Sequence, residues 1–159
     1  MRLVILGIDP GLSGAWALLA QDGTVIGVDS LPVIRYQGTA WVDAPELHTQ
    51  LCAELPDIRA VRLIAYVELV HSMPKQGVSS AFTFGVGFGS ILATLQILPA
   101  AIRLVTPSTW KKAAGLSREK SESLDRARLL FPTVRLDRKK DHGMAEALLL
   151  ANYGRGKEQ

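Results

Sequence analysis

Four acidic residues lie where a carboxylate destabilises the fold unless it has a partner. Asp9 and Glu68 each end a hydrophobic run that is predicted to be a buried strand, and Asp141 and Glu146 belong to the start of an otherwise apolar helix. A half-buried carboxylate raises the free energy of the folded state unless it is paired or bound to a metal ion. Oxygen ligands favour Mg²⁺ or Mn²⁺. The residue types therefore predict a site for hard divalent cations.

The chemistry of such a site is phosphodiester hydrolysis. Several carboxylates within a few ångströms repel one another, and divalent cations remove that repulsion. Two ions about 3.5–4 Å apart can activate a water molecule and stabilise the leaving oxygen when a phosphodiester is cut. We therefore predict two Mg²⁺ or Mn²⁺ ions per site, with these metal ligands: Asp9, Glu68, Asp141 and Glu146.

His142 is a fifth candidate for the catalytic set. It lies four residues before Glu146, so the two side chains share a helix face, and the imidazole can act beside the metals as a ligand or a proton acceptor. Each residue also has a structural alternative. Asp9 can start a turn, Glu68 can pair with a lysine, and Asp141 can cap the helix. His142 can be structural, and Glu146 can lie on an exposed face.

The elements that must position these residues follow from hydropathy and turn signals. Carboxyl ends of neighbouring parallel strands meet at one sheet edge, where a covering helix can add further ligands. The pattern predicts a single α/β domain over residues 1–159, a mixed sheet with helices on both faces. Its predicted strands are 2–9, 14–19, 24–28, 61–67 and 102–105; its helices are 44–54, Ser79 or Ser80 to 98, a short one after Thr106, 117–131, and 141–153 ending at Gly154.

The charge distribution indicates a polyanionic partner. Residues 1–102 carry 5 Lys and Arg against 8 Asp and Glu, whereas residues 103–159 carry 13 against 7. A strongly basic half is typical of nucleic-acid binding, and phosphate contacts position DNA without reading its sequence. We predict DNA-binding side chains at these positions: Lys75, Lys111, Lys112, Arg118, Lys120, Arg138, Lys139 and Lys140.

Other features restrict the class of protein. Cys52 is the only cysteine, so an internal disulfide and a cysteine zinc cluster are excluded. The apolar start of the chain runs into Gly7 without a small-residue cleavage site, which favours a buried strand over a signal peptide and predicts a cytoplasmic protein. No apolar run is expected to be long enough to span a membrane. Gly85, Gly87 and Gly89 fall within a predicted helix and allow close packing or close approach of a strand.

The motifs that carry these acids resemble those of the RuvC-type Holliday-junction resolvases, in the phage-type branch of that RNase H-like group. Residues 7–15 (GIDPGLSGA) resemble the opening motif, Val67 and Glu68 resemble the second motif, and residues 141–148 (DHGMAEAL) resemble the C-terminal helix motif. Residues 71–80 (HSMPKQGVSS) are also typical of this branch. The motifs occur in the family's order and span nearly the whole chain.

The resemblance implies an RNase H-like five-stranded mixed sheet, a homodimer, and paired nicks across a four-way DNA junction. It implies metal binding by Asp9 and Glu68, with Glu146 as the final acidic ligand. The chain departs from the pattern at Glu146, where Asp is usual, and at Gly143, where a further acidic or histidine ligand is usual. Either Asp141 or His142 must then complete the site, and the sequence leaves both open.

Two other functions fit parts of the pattern. An Asp-x-Gly turn between a strand and a hairpin also marks the phosphate loop of actin-like phosphotransferases, but those need two such domains and 159 residues are too few. A non-catalytic protein that binds branched DNA would need the basic half of the chain but not the metal ligands. The nuclease hypothesis differs from both because it requires Asp9, Glu68 and Glu146 to meet closely enough to hold metal ions.

Overall fold

The central element is a mixed five-stranded sheet. The computed structural model describes residues 1–71 and 77–158. In chain order the strands are Arg2–Asp9 (β1), Ala15–Ala20 (β2), Val25–Ser30 (β3), Val33–Tyr36 (β4), Thr39–Val42 (β5), Val61–Glu68 (β6) and Ala100–Val105 (β7). In the sheet, β1, β2 and β3 run antiparallel, while β6 and β7 add parallel to β1 in the spatial order β3-β2-β1-β6-β7. A separate two-stranded ladder joins β4 and β5.

Helices cover both faces of this sheet. The helices are Ala44–Glu54 (α1), Val78–Ile97 (α2), Pro107–Ala113 (α3), Lys120–Leu130 (α4) and His142–Lys157 (α5), with short 3-10 turns at Ile58–Ala60 and Lys139–Asp141. One face of the sheet packs against α3, α4 and α5, and the other packs against α1 and α2. The predicted architecture of a mixed five-stranded sheet between two helical layers is therefore confirmed.

The hydrophobic run of β1 explains why the sheet needs two helical layers. Successive side chains of a strand point to opposite faces. Leu3 and Ile5 lie in the core under α5, whereas Val4 and Leu6 lie in the core under α1 and α2, and all four are buried. A strand that is apolar at every position is stable only when both faces of the sheet are covered.

Three local predictions are wrong, each for a physical reason. No strand is predicted between residues 28 and 44, but this segment forms the hairpin of β4 and β5, which turns at Gln37 and Gly38, both with positive φ. Neither Ser79 nor Ser80 caps α2, because the helix already begins at Val78, with Gly77 at its N-cap. Gly154 does not end α5. The helix continues to Lys157, and Gly154 instead serves packing, because a Cβ there would collide with the ring of Tyr66.

Helix α2 differs from the expectation that no apolar run of this chain is long enough to span a membrane. Val78–Ile97 is long and apolar enough to cross a membrane by length and composition, and 22% of its most apolar window is buried. Ile91 and Leu95 pack in the core under the sheet. The same helix exposes Val78 (87%) and Phe82 (65%), so one of its faces has no partner within the described chain.

Gly7 in β1 sets how closely α5 approaches the sheet. A Cβ at Gly7 would collide with the backbone oxygen of Ala147 and lie 2.6 Å from the backbone nitrogen of Ala151. The backbone of α5 therefore lies directly on β1, two residues before Asp9. This contact determines where Glu146, the neighbour of Ala147, meets the end of the strand.

Gly7→Ala is expected to lower the free energy of unfolding by about 1–3 kcal/mol, because an added methyl group overpacks a backbone contact that has no side chain to move aside. Thermal unfolding measures the loss. Gly156→Ala is the matched control on α5, since no atom lies within 4 Å of its added Cβ. The control is expected to stabilise the helix slightly. Equal stability of the two variants would contradict the close approach of α5 to β1.

Candidate active site

Three carboxylates from distant parts of the chain meet at one edge of the sheet. One oxygen each from Asp9, Glu68 and Glu146 lies within 4.8 Å of the other two. Asp9 ends β1, Glu68 ends β6, and Glu146 lies in the second turn of α5. Glu68 and Glu146 are buried, and Asp9 is half-buried. The expected convergence of the two strand ends with the covering helix therefore occurs for these three residues.

Strand pairing explains the approach of Asp9 to Glu68. The parallel register pairs Ile8 with Val67, so the next residue of each strand is an acid at the same edge. Helix α5 brings the third acid because its backbone packs on Gly7.

Three polar side chains surround these carboxylates, and two of them, Trp110 and Ser123, are not predicted from the sequence. The Trp110 indole N–H donates to Glu68 Oε2 at 2.7 Å, and the Ser123 hydroxyl donates to Glu146 Oε1 at 3.2 Å. Lys111 Nζ lies 2.7 Å from the same Glu146 oxygen. Trp110 and Ser123 are fully buried. These donors fix the orientation of Glu68 and Glu146 before any ligand binds.

Electrostatics at the cluster are unfavourable for three negative charges. Burial, followed by the nearby charges of Glu146 and Glu68, raises the pKa of Asp9 well above its usual range, although Lys111 and Lys120 oppose the shift. Burial also raises the pKa of Glu68, against the hydrogen bond from Trp110. A pair of lysines therefore offsets the repulsion only in part, which is the condition under which a divalent cation stabilises such a cluster.

Asp141 lies outside this cluster and has a different partner. Its buried carboxylate accepts a hydrogen bond from the Arg138 backbone N–H at 2.8 Å and pairs with the Arg138 guanidinium at 2.9 Å. Burial alone would raise the pKa of Asp141, but the hydrogen bonds from Arg138 lower it overall. The geometry favours a structural role for Asp141, but not the side-chain cap expected as the alternative. Asp141 lies at the N-cap of α5 without a side-chain capping hydrogen bond, and it fixes the turn that leads into the helix through Arg138.

His142 and Gly143 also bear on how the site is completed. His142 is half-buried, with Nδ1 3.4 Å from the Lys139 carbonyl oxygen, and it is not among the converging ligand atoms. A Cβ at Gly143 would lie 2.6 Å from the carbonyl oxygen of Ser13. The loop after β1 therefore leaves no room for a side chain at Gly143, which explains physically why no ligand occurs there.

The predicted DNA-binding residues separate into several environments. Lys111 points into the carboxylate cluster, and Arg138 pairs with Asp141. Lys75 lies outside the described residues. The remaining side chains are exposed on α3, on α4 or on the segments next to α4 and α5: Lys112, Arg118, Lys120, Lys139 and Lys140.

The arrangement has the donor set of a hard-cation site. Three carboxylates supply oxygen atoms from one edge, and two of these acids have raised pKa values that bound cations would bring down. Oxygen-only ligands of this kind suit Mg²⁺ or Mn²⁺. The residues therefore fit the metal that phosphodiester hydrolysis requires, and Lys111 adds a fixed positive charge beside them.

Comparison of the sequence with known proteins gives one curated relative. The chain is 36% identical, over 117 residues, to the chloroplastic Holliday junction resolvase MOC1 of Chlamydomonas reinhardtii. This match covers 69% of the chain but only 13% of the relative, so the chain spans a small part of that protein's length. No protein-family model matches the sequence.

Solved structures of resolvases share the fold. A Thermus thermophilus RuvC structure in complex with a Holliday junction substrate superposes with a TM-score of 0.66 at 18% identity, covering 98% of this chain and 95% of RuvC. The yeast mitochondrial Holliday junction resolvase Ydc2 gives a TM-score of 0.54 at 16% identity, covering 97% and 78%.

The RNase H-like fold expected from the sequence is confirmed by the superposition on RuvC. The resemblance of this chain to the RuvC-type resolvases is therefore confirmed, in fold by RuvC and Ydc2 and in sequence by the chloroplastic resolvase.

Proposed function

We propose that this protein is a metal-dependent endonuclease that resolves four-way DNA junctions and cuts related branched DNA. The observation that carries the proposal is the meeting of Asp9, Glu68 and Glu146 within 4.8 Å at the end of parallel strands. Its support is the RuvC fold together with the similarity to a curated Holliday junction resolvase.

The proposed metal ligands are the three converging carboxylates, which would hold two Mg²⁺ or Mn²⁺ ions. Bound divalent ions supply an activated water and charge stabilisation for phosphodiester hydrolysis. Trp110 and Ser123 hold Glu68 and Glu146 in fixed orientations, so little side-chain entropy is lost when the site is filled. Lys111 lies where its ammonium can stabilise negative charge on a phosphate oxygen.

The function is tested by cleavage of a labelled four-way junction with Mg²⁺, with Mn²⁺ and with EDTA, in competition with linear duplex, flap and RNA substrates. We expect metal-dependent nicks in the junction and a preference for the junction over the linear duplex. Tight junction binding without metal-dependent nicks would instead indicate a non-catalytic protein that binds branched DNA. Faster cleavage of RNA or flaps would identify another substrate for the same residues.

We also propose that the protein acts as a homodimer, because two sites are needed to cut two strands of one junction. Helix α2 supports this proposal. Its exposed face carries Gly85, Gly89 and Ala93 at intervals of four, beside the exposed ring of Phe82. Added Cβ atoms at Gly85 and Gly89 would meet nothing within 4 Å. Small residues at this spacing allow two helices to pack closely, and a second α2 would cover the apolar face.

Phe82→Glu is expected to convert the dimer to a monomer, because two carboxylates would be buried across the two-fold axis. Light scattering after size-exclusion chromatography measures the mass. Leu129→Glu is the control, since Leu129 is also exposed (71%) but lies on α4. A wild-type protein that is monomeric at micromolar concentration, or a dimer unchanged by Phe82→Glu, would contradict this interface.

The proposed compartment is the cytoplasm. Cys52 is the single cysteine, so the fold depends on no disulfide and suits a reducing environment. Microscopy of the tagged full-length protein tests the location, and a signal confined to another compartment would contradict it.

A further inference from the structure

A basic cleft opens between α4 and the start of α5, separate from the carboxylate cluster. It encloses about 650 Å³ and has no acidic residue in its lining, which is mainly formed by Lys120, Leu124, Arg128, Lys139, Lys140 and His142. Lys120, Leu124 and Arg128 are spaced by four residues and so share one face of α4. The opposite wall comes from the 3-10 turn Lys139–Asp141 and the first residue of α5.

The cations of this cleft are available to bind an anion. Within residues 1–71 and 77–158, no ion pair involves Lys120, Lys139 or Lys140. Arg128 is held in place, because its Nε donates to the Leu136 carbonyl oxygen at 2.8 Å. Its exposed partner Asp125 accepts from Nη1 at 3.1 Å and offsets only part of the charge. A tethered guanidinium loses little entropy when it binds a ligand.

Two links join the cleft to the carboxylate cluster. His142 lies one turn before Glu146 on α5, a separation of about 6 Å along the helix axis. Lys120 lies close enough to Asp9 for its charge to act on that carboxylate. The cleft and the carboxylate cluster therefore lie close together, within about one helical turn of each other along α5.

We propose that this cleft binds one backbone phosphodiester of the strand that is cut, near the scissile phosphate, and so fixes which bond reaches the metal ligands. The inference rests on the proposed nuclease function and adds a positioning site to it. In this placement the cations contact the phosphate oxygens, His142 is the lining residue that α5 supplies, and the apolar side chain of Leu124 lines the cleft where the deoxyribose would lie. This placement gives His142 a role in positioning DNA.

The test combines protein variants with single neutral phosphates in the DNA. Labelled four-way junctions carry one methylphosphonate each, at successive positions around the cut, and their affinities are measured in EDTA by fluorescence anisotropy. The variants are Lys139→Gln with Lys140→Gln, and His142→Gln separately. Arg126→Gln is the matched control, because it removes one charge from α4 but lines a different groove, next to Tyr153.

We expect one methylphosphonate position to weaken binding by the wild type about five- to tenfold, as the loss of one charged contact does. The lysine double variant should bind intact junction more weakly and lose this sensitivity at that position alone. Its affinity should also fall less steeply with salt, by about 0.9 in the logarithmic slope per lost phosphate contact. His142→Gln should shift the main cut site or lower its precision in Mg²⁺.

The inference is overturned if the lysine double variant retains the methylphosphonate sensitivity of the wild type, or if it behaves like Arg126→Gln. Failure of the proposed function gives a different result, because the wild-type protein would then neither prefer junctions to linear duplex nor nick them. The wild type can also cleave junctions normally while no methylphosphonate position shows a sensitivity that the lysine double variant loses. That result rejects the proposed phosphate site in the cleft and leaves the nuclease proposal intact.

Discussion

Asp9→Asn and Glu68→Gln are each expected to lower the rate of junction cleavage by about a thousandfold or more, with junction binding retained. Metal ions supply several kcal/mol of transition-state stabilisation, and each 1.4 kcal/mol corresponds to a factor of ten. An amide keeps the shape of the side chain but removes the charge that holds the cation. Single-turnover cleavage in saturating Mg²⁺, together with anisotropy binding in EDTA, separates the chemical step from binding.

Asp137→Asn provides the control for this prediction. Asp137 is an exposed carboxylate that pairs with Arg135 and lies outside the cluster, so its removal should leave the cleavage rate within about twofold. Wild-type rates in both Asp9→Asn and Glu68→Gln would show that these residues do not hold the catalytic metal. Loss of binding as well as cleavage would show that they act mainly by keeping the fold.

The second large effect concerns stability in the absence of metal. The pKa values of Asp9 and Glu68 are raised in the folded protein, so near neutral pH the charged cluster opposes folding. Asp9→Asn removes one of these charges and is expected to raise the melting temperature in EDTA by a few degrees, since about 1 kcal/mol shifts it by ~2–4 °C at this size. Magnesium should stabilise the wild type and have much less effect on the variant.

The sign of the pH dependence follows from proton binding. A carboxyl group whose pKa is raised by folding contributes stability that is fully present below its unfolded pKa and is lost as the pH rises through its folded pKa. The advantage of Asp9→Asn over the wild type in EDTA should therefore be small near pH 4 and grow towards neutral pH. Asp141, whose pKa is lowered, acts in the opposite direction in both proteins and cancels in the difference.

Differential scanning fluorimetry at several pH values measures both effects. At a Mg²⁺ concentration of about 100 times the dissociation constant, bound metal adds roughly 2.7 kcal/mol to the stability of the wild type. A wild type that is more stable than Asp9→Asn in EDTA at neutral pH would contradict the electrostatic strain assigned to the cluster. Equal stabilisation of the two proteins by Mg²⁺ would place the metal elsewhere.

The meeting of Asp9 and Glu68 could be predicted because it depends on the ends of two strands, and each end is visible in the local sequence. Each acid ends a hydrophobic strand, and acids at the ends of neighbouring parallel strands share a sheet edge. Glu146 could be selected but not oriented, because α5 is buried on most of its surface and its apolar residues show no single face. Its position depends on the absence of a side chain at Gly7, a tertiary contact that periodicity does not reveal.

The rest of the site could not be derived from pattern for related reasons. Helix α3 has only seven residues, so periodicity gives no orientation for Trp110 or Lys111, and from sequence alone Lys111 cannot be distinguished from the lysines predicted to bind DNA. Ser123 is a small polar residue in a charged helix, and only its complete burial distinguishes it. Asp141 stands three residues after Arg138, a spacing that permits a local ion pair, but the hydropathy pattern does not show whether the pair forms.

Anomalous diffraction from crystals soaked in MnCl₂ tests the central claim most directly. We expect one or two manganese peaks between Asp9, Glu68 and Glu146, with metal–oxygen distances of about 2.0–2.2 Å, and no such peak in crystals of Asp9→Asn. If Lys111 instead remains paired with Glu146 and no manganese lies within bonding distance of the three carboxylates in fully soaked wild-type crystals, the proposed metal site does not exist.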